Sequence, residues 1–258
     1  MIEITIYGRG GRGGVTLAKL LGAAYFLRGK YVQAFGVYGA ERAGAPVQAF
    51  VRVDDEEITE HWPVREPDHV IVLDAGLITA ETAQGMDPQG WIVLNSPLPP
   101  EGFANAFPGR NVATVDASAI AVDCGLGTRA LPIVNTALLG AAAEILGLSL
   151  ADAEAALAHL GLGEPNLKAA RTAYDSVRQA RLPGAVAAPA PRRRPVRPAT
   201  SSTWLAPGWP RTPTRRPGRS WTRCSSATTS RGSPTGSRGV CSSARPDCAA
   251  RWARVRTG

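Results

Sequence analysis

The sequence predicts an α/β fold: a mostly parallel doubly wound sheet with an edge hairpin and C-terminal helices, followed by a disordered tail. Three observations lead there. Short runs rich in β-branched residues recur before about residue 120, with helical candidates between them. The stretch after Pro132 then reads as helix throughout, and from Leu182 the composition shifts to Pro, Ala, Arg, Ser, Thr and Gly. The expected division is one domain over residues 1–183 and an Arg/Pro/Ser-rich tail over 184–258.

The first strand runs from Ile2 to Tyr7 and breaks into the loop "GRGGRGG", after which Val15 to Leu27 has the composition of a helix. Further strand candidates are Tyr31 to Phe35, Val47 to Val53, His69 to Asp74, Trp91 to Asn95 and Val112 to Asp116. "HVIVLD" and "WIVLN" are nearly continuous apolar runs, as strands covered on both faces require. "VQAFVRV" is different: Val47, Ala49, Val51 and Val53 alternate with Gln48, Phe50 and Arg52, the pattern of a strand with one wetter face. The acidic "DDEE" at Asp54 to Glu57 reads as a turn into a short returning strand around Ile58, which would complete a hairpin at a sheet edge.

Three helices are expected at the end of the domain: "IVNTALLGAAAEILG", "SLADAEAALAHLG" and "EPNLKAARTAYDSVRQAR", the last ending at Arg181. Ser149 followed by Asp152 is a helix-start signal, and Gly161 is a stop.

The formal charge of +8 is unevenly distributed. Residues 191–258 hold fifteen arginines, no lysine and one acid, Asp247, a local charge of +14 that leaves −6 on residues 1–190. The tail lacks Ile, Phe, Tyr, Met, Lys, Glu, Gln, Asn and His from residue 191 onward, so apolar burial cannot fold it and disorder is expected. Its surviving residue types are those of G- and C-rich codons, which points to a reading-frame error in a high-GC gene. The rival reading is a nucleic-acid arm, since arginine contacts phosphate and Trp204, Trp209, Trp221 and Trp252 could stack on bases. The absence of lysine and of any repeated aromatic-basic spacing argues against nucleic acid as a partner.

No basic-then-apolar leader opens the chain and no apolar run is long enough to span a bilayer, so no membrane association and a cytoplasmic location are expected. Cys124, Cys224, Cys241 and Cys248 show neither metal nor iron–sulfur spacing. His61, His69 and His159 are far apart in sequence, and a structural role is the simpler reading for His69 and His159. No paired carboxylates and no nucleophile–base set present themselves, so no catalytic residue is assigned.

The candidate site is therefore the glycine loop. Gly8, Gly10 and Gly13 satisfy G-x-G-x-x-G between a strand and a helix, and with Gly11 they let backbone amides approach an anion at a helix N-terminus. Arg9 and Arg12 add positive charge suited to a phosphate or carboxylate. An NAD site should place an acid at the end of the second strand, but none follows "VQAFGVYG" until Glu41. The phosphate loop G-x-x-x-x-G-K-[ST] is absent, Lys19 lying inside the helix. From the motif alone, ligand binding and a tight turn against a neighbouring subunit are equally open.

The loop after the second strand, "GVYGAERAGAP", would emerge beside the glycine loop and bring Glu41 and Arg42 to the same crevice. Asp74, ending "HVIVLD", has two readings, lining this crevice or capping the next turn.

"GRGGRGGVTLAKLLGAAYFLRGKYVQAFGVYGAERAGAPVQAFVRV" closely resembles the gamma subunit of the 2-oxoacid:ferredoxin (acceptor) oxidoreductases, the pyruvate synthase family. "PIVNTALLGA" at Pro132 to Ala141 resembles the family's later helix, and the likeness covers about residues 1–181. Arg12 stands where the family usually has Gln. The resemblance implies one subunit of a multisubunit oxidoreductase with alpha, beta and delta partners and ferredoxin or a similar acceptor. Such enzymes decarboxylate a 2-oxo acid oxidatively, with coenzyme A as substrate, to acyl-CoA and carbon dioxide. Thiamine diphosphate, magnesium and 4Fe-4S clusters belong to the assembled complex; none is expected to be bound by this chain alone, and it is not expected to turn over by itself. Gly8, Arg9, Gly10, Gly11, Arg12, Gly13, Glu41 and Arg42 are then the expected contacts, to the coenzyme's phosphates or to a neighbouring chain. The alternatives are a stand-alone nucleotide-binding protein and the gamma subunit of an aromatic, phenylglyoxylate-type 2-oxo acid dehydrogenase.

Overall fold

The computed structural model describes residues 1–37, 44–79 and 81–185. The expectations for Glu41 and Arg42, and for the tail from residue 186 onward, lie outside these residues. Within them the alternating apolar runs become β1 (Ile2–Arg9), β2 (Tyr31–Gly36), β3 (Pro46–Asp54), β4 (His69–Val72), β5 (Trp91–Asn95), β6 (Asn111–Val115) and β7 (Arg178–Arg181). They form one sheet in the order β2-β3-β1-β4-β5-β6-β7. The pairs β1–β4, β4–β5 and β5–β6 are parallel. β3 lies antiparallel between β1 and β2, and β7 antiparallel to β6. All strands but β3 and β7 thus point one way, and their carboxyl ends share one rim.

The helices are α1 (Gly14–Leu27), α2 (Ala117–Asp123), α3 (Asn135–Ile145), α4 (Leu150–His159) and α5 (Glu164–Ser176). Side chains alternate across a strand, so Ile4, Ile6, Val51, Ile71, Val93 and Val115 meet Leu17, Leu21 and Leu138 in the larger core. Val70, Val72, Ile92, Leu94 and Val112 face the other way, onto Met86, Phe107 and Leu182. Burial on both faces accounts for the unbroken apolar runs of β4 and β5. Among the described residues no helix is long and apolar enough to cross a membrane.

Ser149 and Asp152 cap α4 reciprocally, each side chain bonding the other residue's amide, as the spacing predicts. Four other expectations are corrected. The run ending at Arg181 is not one helix: α5 stops at Ser176, Val177 is extended, and Arg178–Arg181 pairs with the otherwise open edge of β6. No strand forms around Ile58; the edge hairpin is made by β2 and β3. The connections from β4 to β5 and from β5 to β6 hold only 3-10 turns, Ala75–Leu77 and Pro100–Phe103, where Gly85, Pro88, Gly90, Pro97, Pro99 and Pro100 discourage longer helices. Finally, the face of β3 expected to be wetter is so only at Gln48, which is exposed, because Phe50 and Arg52 are both buried.

The physical reason is a strap, residues 55–68, that returns across this face. Glu3, Arg52 and Gln33 lie side by side on β1, β3 and β2. The Arg52 guanidinium donates to Glu3 Oε1 (2.7 Å), Gln33 Oε1 (3.0 Å) and the carbonyls of Glu60 (3.4 Å) and Trp62 (2.7 Å), and stacks over Phe35. A charge with its donors this fully used can be buried.

Candidate functional site

At the carboxyl rim the chain leaves β1 through Gly10–Gly13 and enters α1 with no side-chain cap. Gly13 takes a left-handed conformation, φ 84°, which a side chain would strain. A β-carbon there would also lie 2.9 Å from Asn135 Nδ2, so only glycine lets α3 approach this closely. The amides of Gly13 to Thr16, the first of α1, have no protein acceptor among the described residues. Unpaired amides at the positive end of the helix dipole favour an anion.

The neighbouring loops close on this turn. The Gly10 amide donates to the Ala45 carbonyl (2.8 Å), and the Gly44 amide to the Gly10 carbonyl (3.1 Å), which continues the β1–β3 ladder past its strands. The loop after β2 therefore does meet the glycine loop, through Gly44 and Ala45. The Gly10 amide is consequently occupied, and Gly8 sits in the ladder opposite Val47.

Arg9 and Arg12 differ in their surroundings. Arg9 Nε donates to Asp74 Oδ2 at 2.6 Å and its Nη1 to the Gly44 carbonyl at 3.3 Å. The Arg12 side chain makes no hydrogen bond or ion pair with any described residue. Asp74 takes the capping role read for it, Oδ1 accepting from the Gly76 amide at 2.9 Å at the start of the 3-10 turn. Burial raises the Asp74 pKa. The Arg9 hydrogen bond, the Gly76 amide and the charges of Arg9 and Arg12 outweigh it, holding the carboxyl below the usual aspartate range. Two residues before Arg9 on the same face of β1, burial and then the charge of Glu81 raise the Tyr7 phenol.

A folded-state pKa below the unfolded one contributes stability that is fully present above the unfolded pKa and is lost as pH falls through the folded value. Asp74→Asn should therefore be less stable than the parent near neutrality. The two urea midpoints should converge between about pH 5 and about pH 2. Parallel curves over that range would show that the Asp74 charge contributes nothing.

Asn135 is the site residue that sequence reasoning missed. It begins α3 with only 7% of its surface exposed, and its Oδ1 accepts from the Thr136 amide at 2.9 Å. Its Nδ2 is left against the glycine loop with no partner among the described residues. "PIVNTALLGA" offered the signal: an asparagine opening an otherwise apolar buried helix. His69 instead serves the sheet, its Nδ1 accepting from the Trp91 amide at 3.1 Å. Among the described residues Cys124 is the only thiol, so no iron–sulfur cluster fits them, and they offer no group of three metal-ligating side chains.

The model of the pyruvate ferredoxin/flavodoxin oxidoreductase family matches residues 3–176. The pyruvate/ketoisovalerate oxidoreductases common subunit gamma of Pyrococcus abyssi is 42% identical over 182 residues, 68% of this chain and 96% of its own. Pyruvate synthase subunit PorC of Methanothermobacter thermautotrophicus is 41% identical over 189 residues, 70% of this chain and 99% of its own. The crystal structure of the pyruvate oxidoreductase subunit PORC of Thermotoga maritima superposes with a TM-score of 0.61 at 31% identity, covering 69% of this chain and 98% of that one.

Proposed function

Because the chain belongs to the pyruvate ferredoxin/flavodoxin oxidoreductase family, as a gamma subunit, we propose that it completes the coenzyme A side of a 2-oxoacid:ferredoxin oxidoreductase. The observation that carries this reading is the match of gamma subunits over 96% and 99% of their own length. In this reading residues 1–183 hold the function, and alpha, beta and delta subunits supply thiamine diphosphate, magnesium, the iron–sulfur clusters and the exit to ferredoxin. No redox step runs through this chain. Its work is to bind and orient.

The free amides at the start of α1, the Asn135 amide and Arg12 form a donor set suited to the phosphates of coenzyme A. They would hold the thiol carrier in place while its acyl group is formed on other subunits. One Pyrococcus abyssi gamma subunit is described as common to pyruvate and ketoisovalerate enzymes. A shared gamma subunit cannot select between those two acids, so the choice of 2-oxo acid is assigned to the partner subunits.

The test uses the assembled complex. Arg9→Ala/Arg12→Ala should raise the apparent KM for coenzyme A about tenfold, the loss of at least one charge-assisted hydrogen bond, and leave the KM for the 2-oxo acid in place. Unchanged kinetics with weaker retention of the subunit would replace the coenzyme reading with an interface one.

A further inference from the structure

Resting on that reading, we propose that Arg9 and Arg12 do different jobs. Arg9 is a bolt that sets the shape of the loop, Asp74 is the positioning residue that holds the bolt, and of the two arginines it is Arg12 that presents charge to the bound anion.

The argument starts from where each donor goes. Arg9 ends β1 and Asp74 follows β4, the parallel neighbour, so their side chains meet above the rim although 65 residues separate them. One carboxylate oxygen takes Arg9 Nε and the other takes the Gly76 amide, so Asp74 joins the glycine loop to the turn after β4. Arg9 Nη1 reaches on to the Gly44 carbonyl. A single ion pair therefore ties together three rim segments, those following β1, β4 and β2. The backbone bonds Gly10–Ala45 and Gly44–Gly10 lie directly beside it.

An arginine in this position is poorly suited to bind a ligand. Its charge is already matched at 2.6 Å, and turning it toward a phosphate would break the contacts that hold Gly44 and the loop. Arg12 lies on the far side of the turn closed by the Arg12 amide on the Arg9 carbonyl (3.0 Å). It precedes the free amides of α1, and its side chain has no partner among the described residues. Its charge lowers the Asp74 pKa without a hydrogen bond to it, so no described residue holds the guanidinium.

The same substitution at the two positions separates the roles. Glutamine carries Nε2 on Cδ, where arginine carries Nε, so Arg9→Gln can keep the hydrogen bond to Asp74 while losing the charge and the Nη1 bond to the Gly44 carbonyl. In the assembled complex, Arg9→Gln is expected to raise the apparent KM for coenzyme A by about twofold, through the lost Gly44 contact alone. Arg12→Gln should raise it about tenfold with kcat unchanged, the loss of one charge-assisted hydrogen bond. Asp74→Ala should raise that KM as well, and in the full-length chain alone it should speed amide exchange at Gly10 and Gly44, which Arg12→Gln should not do. Equal KM increases for the two glutamine variants would make Arg9 a ligand contact and overturn the division of roles. Slow exchange retained at Gly10 and Gly44 in Asp74→Ala would overturn the bolt. If neither glutamine variant moves the KM while Asp74→Ala still loosens the loops, the coenzyme reading fails and the bolt stands.

Discussion

Replacing Arg52 by methionine is expected to destabilise the domain by about 3 kcal/mol, the low end for breaking a buried ion pair, because Glu3 keeps 20% of its side chain in solvent. The cost comes from what the guanidinium leaves behind. Gln33 Oε1 and the carbonyls of Glu60 and Trp62 lose a donor at a part-buried site, and Glu3 loses its counter-charge. The strap over 55–68 should release first, since the Trp62 ring is already 55% exposed and its carbonyl is held by Arg52. Tryptophan emission should therefore shift at lower urea than the far-ultraviolet signal. Arg52→Lys should recover only part of the loss, because an ammonium cannot span four acceptors lying in a planar fork. A methionine variant as stable as the parent would show that the strap stays in place without the charge.

Arg52 also marks the boundary of what the sequence could reveal. Alternation in "VQAFVRV" correctly identified two faces of β3 and misjudged one as wet at Phe50 and Arg52. A strand's own pattern reports polarity, whereas burial depends on what crosses above it, and the strap's acidic and proline-bearing sequence has no period to announce that. β7 was hidden for a related reason: "RQAR" carries no apolar alternation, and its pairing comes from backbone bonds to the edge of β6. The glycine loop, by contrast, was legible in detail because its requirement is local: a left-handed turn and a bare helix start. Its partners were not. Asp74 and Asn135 reach it through the parallel topology and through helix packing, contacts with no trace in neighbouring residues.

Gly140→Ala should be the second large effect, and it links the core to the rim. Gly140 is the point where α3 crosses α5. A β-carbon there would lie 2.7 Å from the Ala170 carbonyl carbon and 2.9 Å from its Cα, and closer still to the carbonyl oxygen. Alanine gains about 1 kcal/mol of helix propensity over glycine. Forcing two helices apart costs about 3 kcal/mol when the obstacle is main chain that cannot change rotamer. The net loss of about 2 kcal/mol should lower the thermal midpoint by roughly 4–8 °C. Ala170→Gly should not rescue it, because the obstruction is the backbone of α5 and not the Ala170 side chain; rescue would mean that α5 yields locally. Since α3 also carries Asn135 against Gly13, a helix displaced along its length withdraws that amide from the start of α1. The same variant, assayed in the complex well below its midpoint, should then show a raised KM for coenzyme A with Arg12 intact. A core substitution that acts on the rim in this way would show that the anion site is held from beneath by α3 as well as from the side by Asp74.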